Sequence, residues 1–283
     1  MKPHFKKVFA FFWGMSLFTQ SIFGCTASDE DATAEMVDVD GHQMFIWCVG
    51  DGPSTVILEI GIGEGASNGY WGTVPGEIKD SARICLYDRA GLGKSAPGPL
   101  PRDSMKIARE LHTLLKNANL APPYILVGHS MGGLHIRSFA EQFPAEVSAM
   151  VFVDPTPAEL MTEPLSAEQL DNLTAAGASP GVLAEADGGI AASIDEWAAL
   201  GPLPDVPVAV LTSSAPPAGA PSLDVERWEI LRDYHRALAD SVSDGVHTVA
   251  TKSGHYIHLD EPYLVINAIK RMIYKFPEPG ERI

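Results

Sequence analysis

The sequence predicts an α/β domain built on a mostly parallel sheet and carrying an inserted helical cap. Three observations carry this. Short apolar runs of strand length alternate with segments of helical periodicity through most of the chain. Strands separated by helices require right-handed crossovers and hence a largely parallel sheet. One connection, residues 155–205, is rich in Ala, Gly, Glu, Asp and Pro and is too long for a plain crossover.

The elements follow in order. Residues 36–39, 43–49 and 55–60 read as three strands with a hairpin among them, punctuated by Gly41 and by the Asp51-Gly52-Pro53 turn. Strand-like runs recur at 82–87, 124–127, 147–153, 207–212 and 246–252, giving eight in all. Apolar residues at helical spacing mark 104–118, 134–143, 225–241 and 261–274, and within the cap 166–175 and 190–200. At 283 residues, 46% of them hydrophobic and 20% charged, the chain suits one large domain with a full core, taken as residues 36–283 with the cap at about 155–205.

The first 24 residues lie apart from that core. Lys2, Lys6 and Lys7 precede an apolar run over 8–23, the pattern of an export signal peptide. The run ends in Ile22-Phe23-Gly24-Cys25, which resembles the box where bacterial lipoproteins are cleaved and the new N-terminal cysteine is lipidated. Three readings stay open: a lipoprotein anchored through Cys25, a plain cleaved signal, or an uncleaved anchor. All three put the domain outside the cytoplasm, in the periplasm or cell envelope or secreted. Residues 25–35 are small, polar and acidic and read as a linker. The formal charge of −16 becomes −19 when the three leader lysines are lost, which disfavours nucleic acid and anionic membrane surfaces as partners. The lipid is then the expected membrane contact, and a small neutral or cationic substrate is favoured.

The segment Gly128-His129-Ser130-Met131-Gly132 directly follows the apolar strand at 124–127 and directly precedes a helix. A serine on so tight a strand-to-helix turn projects its hydroxyl from a strained backbone. Flanking glycines avoid collision with neighbouring elements, and the helix N-terminus turns its free N–H groups toward developing negative charge. Ser130 is the candidate nucleophile, and it needs a base oriented by a carboxylate. His255, in Ser253-Gly254-His255 between the last strand and the last helix, is the candidate base, with His258 as its competitor. A metal site on these two histidines would lack a matching carboxylate-and-His set.

Residues 36–275 resemble the α/β-hydrolase superfamily. The stretches Tyr87-Asp88-Arg89-Ala90-Gly91-Leu92-Gly93-Lys94-Ser95, Gly128-His129-Ser130-Met131-Gly132 and Ser253-Gly254-His255 look like its ordered landmarks. The resemblance implies an eight-stranded, mostly parallel sheet, a cap after the sixth strand, and ester-type hydrolysis by a Ser-His-Asp catalytic triad without cofactor. The commoner acid position is empty, because Thr212-Ser213-Ser214-Ala215-Pro216-Pro217 offers no carboxylate. Asp154, at the end of the preceding strand, is the expected acid, since some family members take theirs from that position. Asp224 is the alternative, and a purely structural Asp154 capping the entry to the cap is the rival view. Met131 and, by resemblance, Ile62 supply the oxyanion-hole N–H groups, while residues 88–95 serve as a structural brace. The implied adjacency of the second and fourth strands also brings Cys48 and Cys85 together. Two buried thiols are the favoured reading there and a disulfide the alternative.

Ester, thioester and lactone substrates fit such a site best. A carboxylate-nucleophile enzyme is disfavoured by Ser130. Three alternatives share the fold: a cofactor-free haloperoxidase, an aminopeptidase selective for N-terminal proline that uses cap acids such as Glu185 or Asp187, and a non-catalytic binding lipoprotein.

Overall fold

The computed structural model describes residues 31–63, 65–216 and 222–275. The expected signal peptide, Cys25 and most of the linker lie outside the described residues.

An eight-stranded sheet organises the chain in the order β1-β2-β4-β3-β5-β6-β7-β8, with β1 (Thr33–Val39), β2 (His42–Val49), β3 (Thr55–Glu59), β4 (Arg83–Tyr87), β5 (Tyr124–His129), β6 (Val147–Val153), β7 (Val208–Thr212) and β8 (Gly245–Val249). The β1/β2 and β2/β4 pairs are antiparallel and the remaining pairs parallel. Alternating side chains separate the core into two layers. Leu58, Leu86, Val127 and Val151 pack against α1 (Val74–Ile78) on one face. Ile57, Tyr87, Leu126 and Phe152 pack on the other against α2 (Ser104–Asn117) and α3 (Gly132–Gln142).

The cap follows β6 and comprises α4 (Ala167–Ala175), α5 (Pro180–Ala184), a π-helical turn at Glu185–Gly189, and α6 (Ile190–Ala198). Ser166 opens α4 with a capping box shared with Gln169. Ile190 and Trp197 join Ala158 and Met161 in an apolar cluster with Met131 and Leu134 at the start of α3. Polar ties reinforce this: the Ser104 N–H donates to Ser193 Oγ and the Met105 N–H to Glu196 Oε2. After the cap come α7 (Ser222–Asp240), α8 (Ile257–Asp260) and α9 (Pro262–Lys275). The apolar stripe of α9, including Val265, Ile269 and Met272, completes the first layer.

Two expectations need correction. The first strand starts at Thr33, inside the expected linker, and pairs with β2 along its whole length. Of its residues only Val37 and Val39 are buried, so this edge strand lacks the alternation that would have marked it. Second, Cys48 and Cys85 are joined in a disulfide rather than held as two thiols. They face each other directly across the antiparallel β2/β4 pair.

The bridge closes a loop of 37 residues. Replacing both cysteines by serine should therefore lower the free energy of unfolding by about 2–4 kcal/mol. Urea titrations that coincide for the variant and the oxidised parent would contradict this.

Candidate active site

The parallel register aligns the C-terminal ends of four strands. Glu59 pairs with Gly128, His129 with Val153, and Val153 with Leu211. The residues that follow, Ile60 to Ile62, Ser130, Asp154 and Ser213, therefore leave the sheet along one edge, where ligands bind in open α/β sheets.

Ser130 takes φ 54°, a left-handed conformation that costs a non-glycine residue of order 1–3 kcal/mol. Its surroundings enforce it. The Ser130 N–H donates to Val153 O at 3.1 Å, and its carbonyl accepts from the Gly133 and Thr156 N–H groups, each at 3.0 Å. A side chain at Gly128 would meet the Gly132 carbonyl at 2.6 Å, and one at Gly132 would meet the Ile60 carbonyl at 2.6 Å. The strand and helix thus close to a separation only glycine permits. Met131 caps α3, and among the described residues no hydrogen bond takes up its N–H.

Asp154 sits at the tip of the adjacent strand, also at positive φ (43°). Its Oδ2 accepts from His255 Nδ1 at 2.7 Å and its Oδ1 from the Ser213 N–H at 2.8 Å. Trp228 of α7 fixes Ser213 in turn through its carbonyl. Burial would raise the Asp154 pKa, but the hydrogen bond and charge of His255, the charge of His235 and the Ser213 N–H outweigh it and hold the carboxyl below its usual range. With Nδ1–H bonded to an ionised carboxylate, Nε2 is the basic nitrogen of a neutral His255. The loop bearing His255 is pinned by Glu261, which accepts from the Lys252 N–H and from Ser253 Oγ. Asp224 lies in the first turn of α7, within the field of Arg227. The structure therefore joins His255 to Asp154 and not to Asp224.

Behind Asp154 stands a polar chain that the sequence did not reveal. The Pro155 carbonyl can only accept, so His235 Nε2 donates to it at 2.7 Å. His235 Nδ1 then accepts from Thr212 Oγ1 at 2.8 Å, and His247 Nε2 donates to Thr212 Oγ1 at 2.8 Å.

The loop after β3 lies against Ser130: a side chain at Gly61 would come within 2.9 Å of Ser130 Cβ. Arg89, fully buried, donates to the Ile60 carbonyl at 3.0 Å and to the Gly61 carbonyl at 2.8 Å. In a trans peptide the N–H opposes the C=O, so the Gly61 and Ile62 N–H groups point away from Arg89. The Tyr70 hydroxyl oxygen lies beside Gly61, 3.2 Å from where a Cβ there would sit. Arg89 also bonds Glu59 and makes a two-pronged pair with Glu185, at 2.8 and 2.7 Å. Residues 88–95 thus brace the site as expected. Asp88 accepts from the Ser67 N–H, the Ser67 hydroxyl and the Lys94 N–H, and Ser95 bridges Phe45 N to Asp88 O. Of the cap acids considered for holding a substrate amine, Glu185 is committed to Arg89 and Asp187 is exposed.

His258 occupies the first turn of α8, stacked on Tyr70 with ring centroids 5.1 Å apart and packed against Trp71 at 4.9 Å. Neither of its nitrogens meets a partner in hydrogen-bond geometry. Burial and the neighbouring His255 push its pKa down to about 3, against a smaller opposing contribution from the Tyr70 backbone. Below pH ~6.5 the unfolded chain therefore binds this proton first. The stability associated with a neutral His258 is present above ~6.5 and is lost as pH falls toward about 3. Replacing His258 by Phe should leave the protein at least as stable at neutral pH. It should also remove on the order of 2 kcal/mol of the stability lost between about pH 7.5 and pH 5. An undiminished pH slope in urea titrations of the variant would contradict the assignment.

Comparison with known proteins agrees with this architecture. A family model described as alpha/beta hydrolase fold matches residues 55–182. The uncharacterized protein YqjL of Bacillus subtilis (strain 168) is 28% identical over 219 residues, covering 77% of this chain and 83% of that protein. A thermophilic esterase from Thermogutta terrifontis superposes with a TM-score of 0.62 at 18% identity, covering 86% of this chain and 98% of its own. A bromoperoxidase from Bacillus anthracis superposes with a TM-score of 0.61 at 14% identity, covering 86% and 100%. At such identities the two structures speak for the fold alone. With the eight-stranded sheet, the cap after β6 and the strand-to-helix elbow, these matches show that the chain has the alpha/beta hydrolase fold.

Proposed function

We propose that the protein is a serine hydrolase that cleaves carboxylic ester-type bonds through an acyl-enzyme formed on Ser130. The observation that carries this reading is the 2.7 Å bond between His255 Nδ1 and Asp154, made beside a serine held at φ 54° on the elbow. In this reading His255 Nε2 takes the Ser130 proton as the oxygen attacks the substrate carbonyl, and the Met131 and Ile62 N–H groups receive the oxyanion. His255 then passes the proton to the departing alkoxide or thiolate. Water, deprotonated by the same nitrogen, attacks the acyl-serine and releases the acid, and Ser130 regains its proton. Beside Ser130, Met131 and Leu134 pack against Ile190 and Trp197 of the cap in an apolar cluster, an environment in keeping with the hydrocarbon of an ester, thioester or lactone.

The engagement of Glu185 with Arg89 weighs against the proline-aminopeptidase alternative, since that acid is not available to hold an amine. The haloperoxidase alternative would use the same three side chains. For location, we propose export, with Cys25 as a lipid acceptor. The Cys48–Cys85 disulfide supports this, because such bonds persist in oxidising compartments.

A fluorophosphonate probe should label wild-type protein, and the label should vanish in Ser130→Ala. Asp154→Asn should lower turnover of p-nitrophenyl esters by roughly 10³–10⁴-fold, as expected when the base loses its orienting carboxylate. Asp224→Asn should change it less than about twofold. A folded wild type that takes no label would overturn the reading, and the reverse order of the two Asp variants would move the acid.

A further inference from the structure

Residue 129 fills the variable slot before the nucleophile, and nothing in the triad requires a histidine there. Yet His129 is only 1% exposed, and both of its ring nitrogens are engaged. Its Nε2 lies 2.9 Å from the backbone carbonyl of His255, and its Nδ1 lies 2.6 Å from the Tyr70 hydroxyl. The roles of these atoms follow from their chemistry. A carbonyl oxygen can only accept, so His129 Nε2 carries the proton and donates. In the neutral ring Nδ1 then holds a lone pair and must accept, so the Tyr70 O–H donates to it. The Tyr70 oxygen in turn lies against Gly61, 3.2 Å from where a Cβ there would sit. Both hydrogen bonds run the same way, from the Tyr70 hydroxyl through His129 to the His255 carbonyl.

This chain links segments distant in sequence: the oxyanion loop after β3, the residue adjacent to Ser130, and the loop bearing the base. We infer that His129, seconded by Tyr70, is a positioning residue that fixes the His255 backbone over the nucleophile elbow and sets it in register with the oxyanion loop. The inference rests on the serine-hydrolase reading and adds to it a residue outside the triad. The packing is consistent with a rigid brace. The His129 and His255 rings lie 4.5 Å apart and those of Tyr70 and His129 5.7 Å apart, and the His258 ring packs against both His129 at 4.6 Å and Tyr70 at 5.1 Å. Burial, with His255 and His258 opposing a further positive charge, pushes the His129 pKa well below its ordinary value. The ring therefore stays neutral, and the direction of the chain persists, when His255 takes up the Ser130 proton during turnover.

The test is kinetic and is normalised to fluorophosphonate-reactive sites, so that a loss of folded protein does not register as a loss of rate. His129→Leu removes both bonds and should lower kcat per reactive site by about 10–100-fold, with KM shifted less than about twofold. His129→Gln retains an N–H of similar reach and should recover most of that loss. Tyr70→Phe keeps the ring stacking and removes the donor, so its loss should be smaller. The double variant Tyr70→Phe, His129→Leu should be no slower than His129→Leu alone. In wild-type protein, nitrogen NMR should show His129 protonated at Nε2, bare at Nδ1, and unchanged between about pH 5 and 8. Undiminished rates per site in His129→Leu, losses that multiply in the double variant, or a ring protonated at Nδ1 would each overturn the inference. If His129→Leu fails to fold, Tyr70→Phe kinetics and the wild-type spectrum still decide. An unlabelled wild type overturns the hydrolase reading itself, whereas labelling with undiminished variant rates overturns only the role of His129.

Discussion

A buried guanidinium governs the geometry of the site. Arg89 has essentially no solvent contact, so every donor it carries must find an acceptor inside the protein. It finds them on two separate parts of the chain: the run from Glu59 at the end of β3 through the Ile60 and Gly61 carbonyls of the following loop, and Glu185 of the cap. Burial alone would raise the Glu59 carboxyl, but Arg89, with His135 and Tyr87, holds it below its usual range. Removing one partner of such a set strands buried charge at a cost of about 3–5 kcal/mol. The network therefore binds the cap to the sheet edge and fixes the orientation of the loop peptides. With the carbonyls of 60 and 61 turned to Arg89, the Gly61 and Ile62 N–H groups of the same peptides point away from it.

The same economy appears at the strand tips. Ser130 and Asp154 end neighbouring parallel strands, and both have positive φ. Each is bonded to the strand beyond it, Ser130 N to Val153 O and Asp154 N to Leu211 O. Local strain at the two positions is thus sustained by the cooperative sheet rather than by the turns alone. Histidine chains stand behind both partners of the proposed base–acid pair. His129 reaches the backbone of His255, and His235 reaches the Pro155 carbonyl next to Asp154. Carbonyl acceptors define the tautomer in both cases, and burial keeps both rings neutral.

The features legible in the sequence were those encoded locally. The elbow was visible because a serine between glycines fell between an apolar strand and a helix. Asp154 was visible through the family resemblance, as the acid position some members use where, as here, residues 212–217 contain no carboxylate, and its bond to His255 agrees with that choice over Asp224. What was left open or escaped notice depends on cross-strand register or on contacts between distant segments. The Cys48–Cys85 bridge requires the β2/β4 register, and β1 is marked by backbone pairing rather than by apolar alternation. Arg89 was visible as part of a structural loop, but its partners Glu59 and Glu185 are separated from it by 30 and 96 positions. Tyr70 lies in an irregular segment with no periodicity, and only the folded chain sets it beneath His129.

The central claim is that chemistry passes through a covalent acyl group on Ser130. The most direct measurement is a rapid-quench reaction with p-nitrophenyl acetate, read as the intact mass of the denatured protein alongside p-nitrophenolate release. The account predicts a burst of one p-nitrophenolate per folded chain and a matching single acetyl adduct mapped to Ser130, with both absent in Ser130→Ala. Ester turnover that persists in Ser130→Ala, or that proceeds in the wild type with neither burst nor adduct under single-turnover conditions, would contradict it.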